Sequence, residues 1–262
     1  MIYGNVKEYD YNGNIIFEGE YKLWHRFKGK EYINEKLKYE GDYLNNAKWN
    51  GKGYDIYGNV IYELINGKGK IKECDIDGNI IFEGEYLNGQ RNGKGKEYSS
   101  DGKLIFEGDY SYRQRNGKGK EYDYDGKLIF EGEYLNDNKW TGKLYYIEIF
   151  NGKLEYEGDY LYDKKWSGKG YDENGNVIYE LINGNGKAKE HNDNGNLQFE
   201  GEYLNGLRNG KGKEYDNNGK LIFEGEYLNN KKGNGKLNYN FYCKKFEGEI
   251  LNGKYLTGKV KE

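Results

Sequence analysis

The chain has 262 residues, with 41 basic and 44 acidic side chains, a formal charge of −3 and a mean hydropathy of −1.13. Only 35% of its residues are hydrophobic, yet 30 Tyr, 10 Phe and 4 Trp stand among 41 Gly and no Pro. That balance excludes a conventional single-core globular domain, the aromatic content excludes ordinary disorder, and no apolar run approaches the ~20 residues that span a bilayer.

In chain order, an opening strand is predicted near Gly4–Tyr9, followed by hairpins that each begin on one phrase: an aromatic, Glu, Gly, an acidic residue and Tyr. The phrase starts at Phe17, Tyr39, Phe82, Phe106, Phe130, Tyr156, Phe199 and Phe223, with worn versions at Tyr62, Tyr179 and Phe246. Successive starts lie 20 to 26 residues apart, the spacing of a repeat protein in which each copy touches only its neighbours. The closing segment Thr257–Glu262 is short and charged, as a protected sheet edge should be.

The unit Phe82–Lys103 shows how one copy folds. Alternating segments flank Leu87–Asn92, and a second turn is predicted at Ser99–Lys103. A symmetric six-residue loop would set Glu85 against Lys94, Glu83 against Lys96 and Gly84 against Gly95. Opposite charges then pair on one face, and on the other the rings lie over bare glycine backbone. A lone hairpin is marginal in water, so stability must come from stacking. The expected fold is all-β: an elongated, twisted single-layer solenoid of about 11 stacked antiparallel hairpins. Its roughly 23 strands at ~4.8 Å each would extend about 100 Å.

The pattern Phe82-x-Gly84-x-Tyr86-x-x-Gly89-x-x-x-Gly93-x-Gly95, then Tyr98 and Gly102, resembles the MORN (membrane occupation and recognition nexus) repeat. Phe199 to Gly219 matches it as closely, and the Lys-Leu-Ile or Asn-Ile-Ile before the phrase looks like a variant form. The resemblance runs end to end. It implies an extended run of antiparallel hairpins with an aromatic-lined groove, frequent dimerisation, scaffolding roles and binding of acidic lipids.

Residues 48–110 and 165–227 agree at 47 of 63 positions, an offset of 117. Residues 1–262 therefore read as a single repeat domain with an internal tandem duplication of five-repeat blocks, about 39–155 and 156–262. The worn units fall at the same place in both, with Leu64 and Leu181 in place of glycine and the loop cut to a bare Asn-Gly. A copied degenerate unit explains this more simply than a functional notch.

Stacking puts all hairpin loops on one edge and the connecting turns on the other. The loop edge is net basic and the turn edge, with Asp75, Asp123 and Asp172, net acidic. Candidate anion- or lipid-binding residues are Arg91, Arg113, Arg115, Lys164, Lys165 and Arg208. The loop edge also carries Trp24, Trp49, Trp140 and Trp166, which join the groove aromatics Tyr86, Tyr110, Tyr134, Tyr203 and Tyr227 as candidate partner contacts.

Catalytic chemistry is not evident. His25 and His191 are remote in sequence, and His191 fills the slot that Cys74 fills in the other block, a packing position. Cys74 and Cys243 offer no disulfide framework or zinc spacing, and no Gly-Lys-Ser/Thr phosphate loop occurs. Glu73-x-Asp75-x-Asp77-Gly78 imitates a calcium loop but has Gly84 where the closing Glu belongs. The expectation is a non-enzymatic scaffold with no cofactor, no metal and no transmembrane segment, binding a protein partner or a second copy of itself. Peripheral binding to anionic lipid through the basic edge is the alternative, with antitoxin-like or carbohydrate binding behind it. Nucleic acid is not expected of an acidic chain. The absence of a leader suggests a cytoplasmic setting, membrane-peripheral under the lipid alternative.

Overall fold

The computed structural model describes residues 3–146, 152–192, 196–241, 244–251, 254–255 and 259–261, with side chains described between Gly4 and Asn238. Thr257, Gly258 and Glu262 of the expected closing edge lie outside the described residues, as does Cys243. The described residues are all β, with no helix among them. They divide into two compact units, Met1–Gly126 with Tyr134–Asp137, and Lys127–Glu133 with Asn138–Glu262. This division is distinct from the boundary between the duplicated blocks.

In the first unit, β1 (Tyr3–Tyr9), β2 (Ile15–Lys22), β3 (His25–Ile33), β4 (Lys36–Leu44), β5 (Ala47–Tyr54) and β6 (Val60–Leu64) pair in chain order. The ladder then narrows to one bridge, Ile65 to Lys68, before β7 (Gly69–Cys74). From there β8 (Ile80–Leu87), β9 (Gln90–Tyr98), β10 (Leu104–Ser111) and β11 (Gln114–Tyr122) continue in order.

The second unit repeats the arrangement through β12 (Leu128–Leu135), β13 (Asn138–Tyr145), β14 (Leu154–Leu161), β15 (Lys164–Tyr171), β16 (Val177–Ile182) and β17 (Asn185–His191). It goes on through β18 (Leu197–Leu204), β19 (Leu207–Tyr215), β20 (Leu221–Leu228), β21 (Lys231–Phe241) and β22 (Lys244–Leu251). There β22 pairs with both β23 (Lys254–Tyr255) and β24 (Lys259–Lys261).

Register follows from the glycines. Across β8 and β9, Glu83 faces Lys96 and Gly84 faces Gly95, as the sequence implies. Beyond them the symmetric loop fails: Tyr86 faces Arg91 and Leu87 faces Gln90. The six-residue loop is thus a two-residue turn, Asn88-Gly89 with φ of 53° and 71°, plus a bulge through Gly93 at φ 94°. These angles are those of a type I′ turn, whose twist matches the strands it joins. On its other side β9 meets β10 with Asp109 facing Lys94 and Tyr110 facing Gly93, so the bulged residues are taken up by the next hairpin. The physical consequence is that Arg91 belongs to a strand rather than to a loop.

The core is the ring-bearing face. Phe17, Tyr39, Phe82, Phe106, Phe130, Tyr156, Phe199 and Phe223 are all fully buried. Each lies over glycines; a Cβ on Gly95 would stand 2.7 Å from the Phe82 ring and 3.0 Å from Tyr110. Within the first unit the rings meet edge to face in a zigzag, Phe82 to Tyr110 at 5.3 Å, Tyr110 to Phe106 at 5.7 Å and Phe106 to Tyr134 at 5.2 Å. Burying one such ring stabilises by about 1.5–3 kcal/mol, with about 0.5–1.5 more for each edge-to-face pair. The worn units are filled rather than degraded, because Leu64 and Leu181 are buried where a glycine would leave a gap.

Candidate functional site

The bulge register decides what the loop edge can present. Because Arg91 faces Tyr86 within the sheet, its guanidinium lies 4.0 Å above the Phe82 ring. It donates to Glu73 through Nε at 2.9 Å and Nη2 at 2.8 Å, and to Glu97 through Nη1 at 3.2 Å. Arg115 repeats this over Phe106 with Glu97 and Glu121, and Arg208 over Phe199 with Glu190 and Glu214. Arg26 does the same over Phe17 with Glu8 and Glu31. Lys165 takes the equivalent place over Tyr156, 2.7 Å from Glu155 and 3.2 Å from the Tyr179 hydroxyl. Half-buried guanidiniums held this way by two carboxylates and a ring are structural ties. Burial alone would raise the Glu73 pKa, but the bonds from Arg91 and Tyr86 hold it below the ordinary carboxylate value.

Of the six cations proposed for anion binding, Arg91, Arg115, Arg208 and Lys165 are therefore committed inside the sheet. Only Arg113 and Lys164 are exposed. The tyrosines are corrected in the same way: Tyr110, Tyr134 and Tyr227 are buried, and Tyr227 donates to Glu214 at 2.9 Å. Tyr86 and Tyr203 are half-buried and donate to Glu73 and Glu190. Side chains on the phrase's last position close the core instead of lining an open groove.

The tryptophans divide. Trp49 and Trp166 lie against the short Asn-Gly turns, whose glycines would set a Cβ 2.8 Å and 2.6 Å from the indoles. The Gly67 and Gly184 N–H groups donate to the Trp49 and Trp166 carbonyls at 2.7 Å each. Trp24 and Trp140 face solvent, at 76% and 50% exposure.

Trp24, a candidate from the sequence, shares its turn setting with two tyrosines that sequence reasoning missed. Leu23-Trp24, Tyr112-Arg113 and Tyr162-Asp163 occupy the two central positions of type I′ turns, with φ between 50° and 75°. Asn or Gly fits there easily, whereas bulky side chains cost about 1–2 kcal/mol per residue. Tyr112 and Tyr162 are exposed at 78% and 77%. Their signal was an aromatic where the other repeats write Asn.

On the opposite turns each Asp closes its own loop: Asp10, Asp55, Asp75 and Asp172 accept backbone N–H groups two and four residues on. Among the described residues no group of His, Cys, Asp or Glu is arranged to hold a metal, and no helix is long and apolar enough to cross a membrane.

The MORN repeat profile matches residues 82–103, 199–220 and 223–240, and the MORN repeat variant matches 2–23, 115–136 and 184–205. No curated protein matches the chain. Among solved structures, a TcdB2–TccC3 crystal structure is similar at 12% identity over 98% of this chain and 15% of that one, with a TM-score of 0.23. A Tc holotoxin pore of Photorhabdus luminescens is similar at 11% identity over 98% and 15%, also with a TM-score of 0.23. The chain thus spans about 15% of the length of those proteins, and at such scores the likeness carries no argument. The matched segments are hairpins in which a ring settles over paired glycines, and the chain carries MORN repeats at these positions.

Proposed function

We propose that the protein is a non-enzymatic scaffold whose hairpin-turn edge grips a protein partner, and that it also associates with itself. The observation that carries this reading is the set of exposed aromatics at left-handed turn positions, Trp24, Tyr112 and Tyr162. They add nothing to the buried core and occupy strained backbone, the signature of side chains retained for contact. Several modest contacts spaced along a repeat combine into useful affinity.

The test is capture from a lysate of the source cell with the intact chain and with Trp24→Asn, Tyr112→Asn and Tyr162→Asn combined. The triple variant should fold as well or better and lose the captured protein. Undiminished capture would overturn the proposal. Light scattering of both proteins reads self-association separately. The commitment of Arg91, Arg115, Arg208 and Lys165 to internal ion pairs weighs against a lipid role, which flotation on anionic vesicles measures directly.

A further inference from the structure

The first unit contains a cavity of about 380 Å³ where the ladder thins between β6 and β7, lined by residues of β3 to β9 and their turns, with Arg113 of the β10–β11 turn. That volume is within the range of small-molecule sites. Its wall is apolar at Ile33, Leu37, Ile61, Tyr62 and Ile71, and Cys74 stands at its side. Because the block is duplicated, the second unit shows what the same place looks like when it is occupied. There Tyr146 takes the place of Ile33 by pairing rather than by the 117-residue offset: it follows Tyr145 as Ile33 follows Tyr32, each tyrosine donating to a glutamate (Glu131 and Glu18), and its N–H meets the Lys153 carbonyl as Ile33 pairs with Lys36. The Tyr146 ring is buried, packs edge to face on His191 at 5.4 Å, and donates its hydroxyl to the Tyr171 carbonyl at 2.9 Å. His191 corresponds to Cys74 and Tyr171 to Tyr54, both on the wall of the first-unit cavity.

The charge at the site is reversed between the copies. Glu155, paired with Lys165 in the second unit, is replaced by Lys38 in the first. The carboxylates on the first-unit wall are engaged: Glu31 with Arg26 and Lys48, Glu73 with Arg91, and Asp55 and Asp75 with backbone N–H groups of their own turns. Lys36, Lys38 and Arg113 line the same space and form no ion pair among the described residues.

We infer that the first-unit cavity binds a small aromatic anion, an aryl carboxylate or aryl phosphate. Its ring takes the place that Tyr146 fills in the second unit, and its charge meets Lys38. An aromatic ring supplies the edge-to-face and apolar contacts, and a partly desolvated anion beside the Lys38 ammonium, which no carboxylate of the described residues approaches within ion-pair distance, supplies orientation. This inference does not depend on the turn-edge scaffold.

The test is calorimetric titration of the full chain with phenyl phosphate and with 4-hydroxyphenylacetate, beside inorganic phosphate and phenol. At least one aryl anion should bind saturably and at least tenfold more tightly than either fragment. Lys38→Glu should weaken it at least tenfold. Ile33→Tyr with Cys74→His, which writes the second unit's residues into the first, should abolish it. Independently of any variant, the bound anion should slow alkylation of Cys74 severalfold, read on its peptide by mass spectrometry. Equal binding of phosphate or phenol, binding that survives either variant, unprotected Cys74, or no saturation at millimolar concentration would each overturn the inference.

Discussion

Gly119→Ala isolates the contact on which every repeat depends. The glycine has no left-handed backbone, so the substitution adds only a methyl group. That methyl would stand 2.6 Å and 2.7 Å from two atoms of the Phe106 ring, closer than real Cβ contacts, and 3.0 Å from Tyr134, tighter than most. Phe106 is fully buried and held edge to face by Tyr110 and Tyr134, so the ring cannot yield without opening the core. Overpacking of this kind costs about 1–3 kcal/mol; at ~2 kcal/mol the population of locally open states rises about thirtyfold. Hydrogen exchange on peptides within residues 104–122 reads that population, since repeats open locally.

Two comparisons make the reasoning refutable. In a Phe106→Ala background only the 3.0 Å approach to Tyr134 remains, so Gly119→Ala should cost less, a coupling of about 1–2 kcal/mol. Gly108→Ala should be rescued far less, because beside the Phe106 ring at 2.7 Å its Cβ would meet the Lys118 carbonyl at 2.6 Å and the Gly119 Cα at 2.7 Å, both backbone. If the two substitutions at Phe106 and Gly119 are additive, the ring-over-glycine contact is not what holds the repeat.

Other outcomes follow from the same geometry. Arg91→Ala should destabilise the first unit by about 2–3 kcal/mol in urea unfolding, by stranding Glu73, while Glu97 keeps Arg115; Arg91→Lys should recover only part, because one ammonium cannot reproduce the two-pronged bond to Glu73. Leu64→Gly, which restores the repeat's own consensus, should nevertheless cost about 3–5 kcal/mol, since Leu64 is 1% exposed and nothing else fills its space. Burial depresses the His191 pKa below the ordinary 6.5, so its neutral form favours folding above that pH and the contribution is lost as pH falls. Between pH 7.5 and 5.5 the melting temperature should therefore drop more for the native chain than for His191→Phe. With two histidines in the chain, NMR titration reads the His191 shift directly.

The period, the strand-rich fold and the ring-over-glycine packing were legible because each recurs in register with a fixed phrase. Gly84 opposite Gly95 needed only the assumption that like meets like. The hairpin tip was misjudged because Asn88-Gly89 and Asn92-Gly93 both signal turns, and sequence alone does not say which closes the hairpin and which bulges. That ambiguity carried Arg91, Arg115 and Arg208 out of the sheet on paper and left a basic edge that the folded chain neutralises internally. Tyr110 and Tyr134 were read as groove residues because alternation places them on the ring face without showing how tightly the next copy closes over them. The first-unit cavity had no motif, since it arises from what Ile33, Lys38 and Cys74 fail to fill.

One backbone feature bears on how such a chain can change length. In several hairpin turns the second residue donates its N–H across to the preceding copy: Gly89 to Gly67, Arg113 to Arg91, Asp137 to Arg115 and, in the second unit, Asn230 to Arg208, all at 2.9–3.0 Å. A single-codon insertion at such a tip would break this stitch and turn the following side chains onto the wrong face. Gain or loss of an entire copy leaves every stitch intact. Lineages of this protein should accordingly differ by whole periods, and in-frame slips inside a period should be purged.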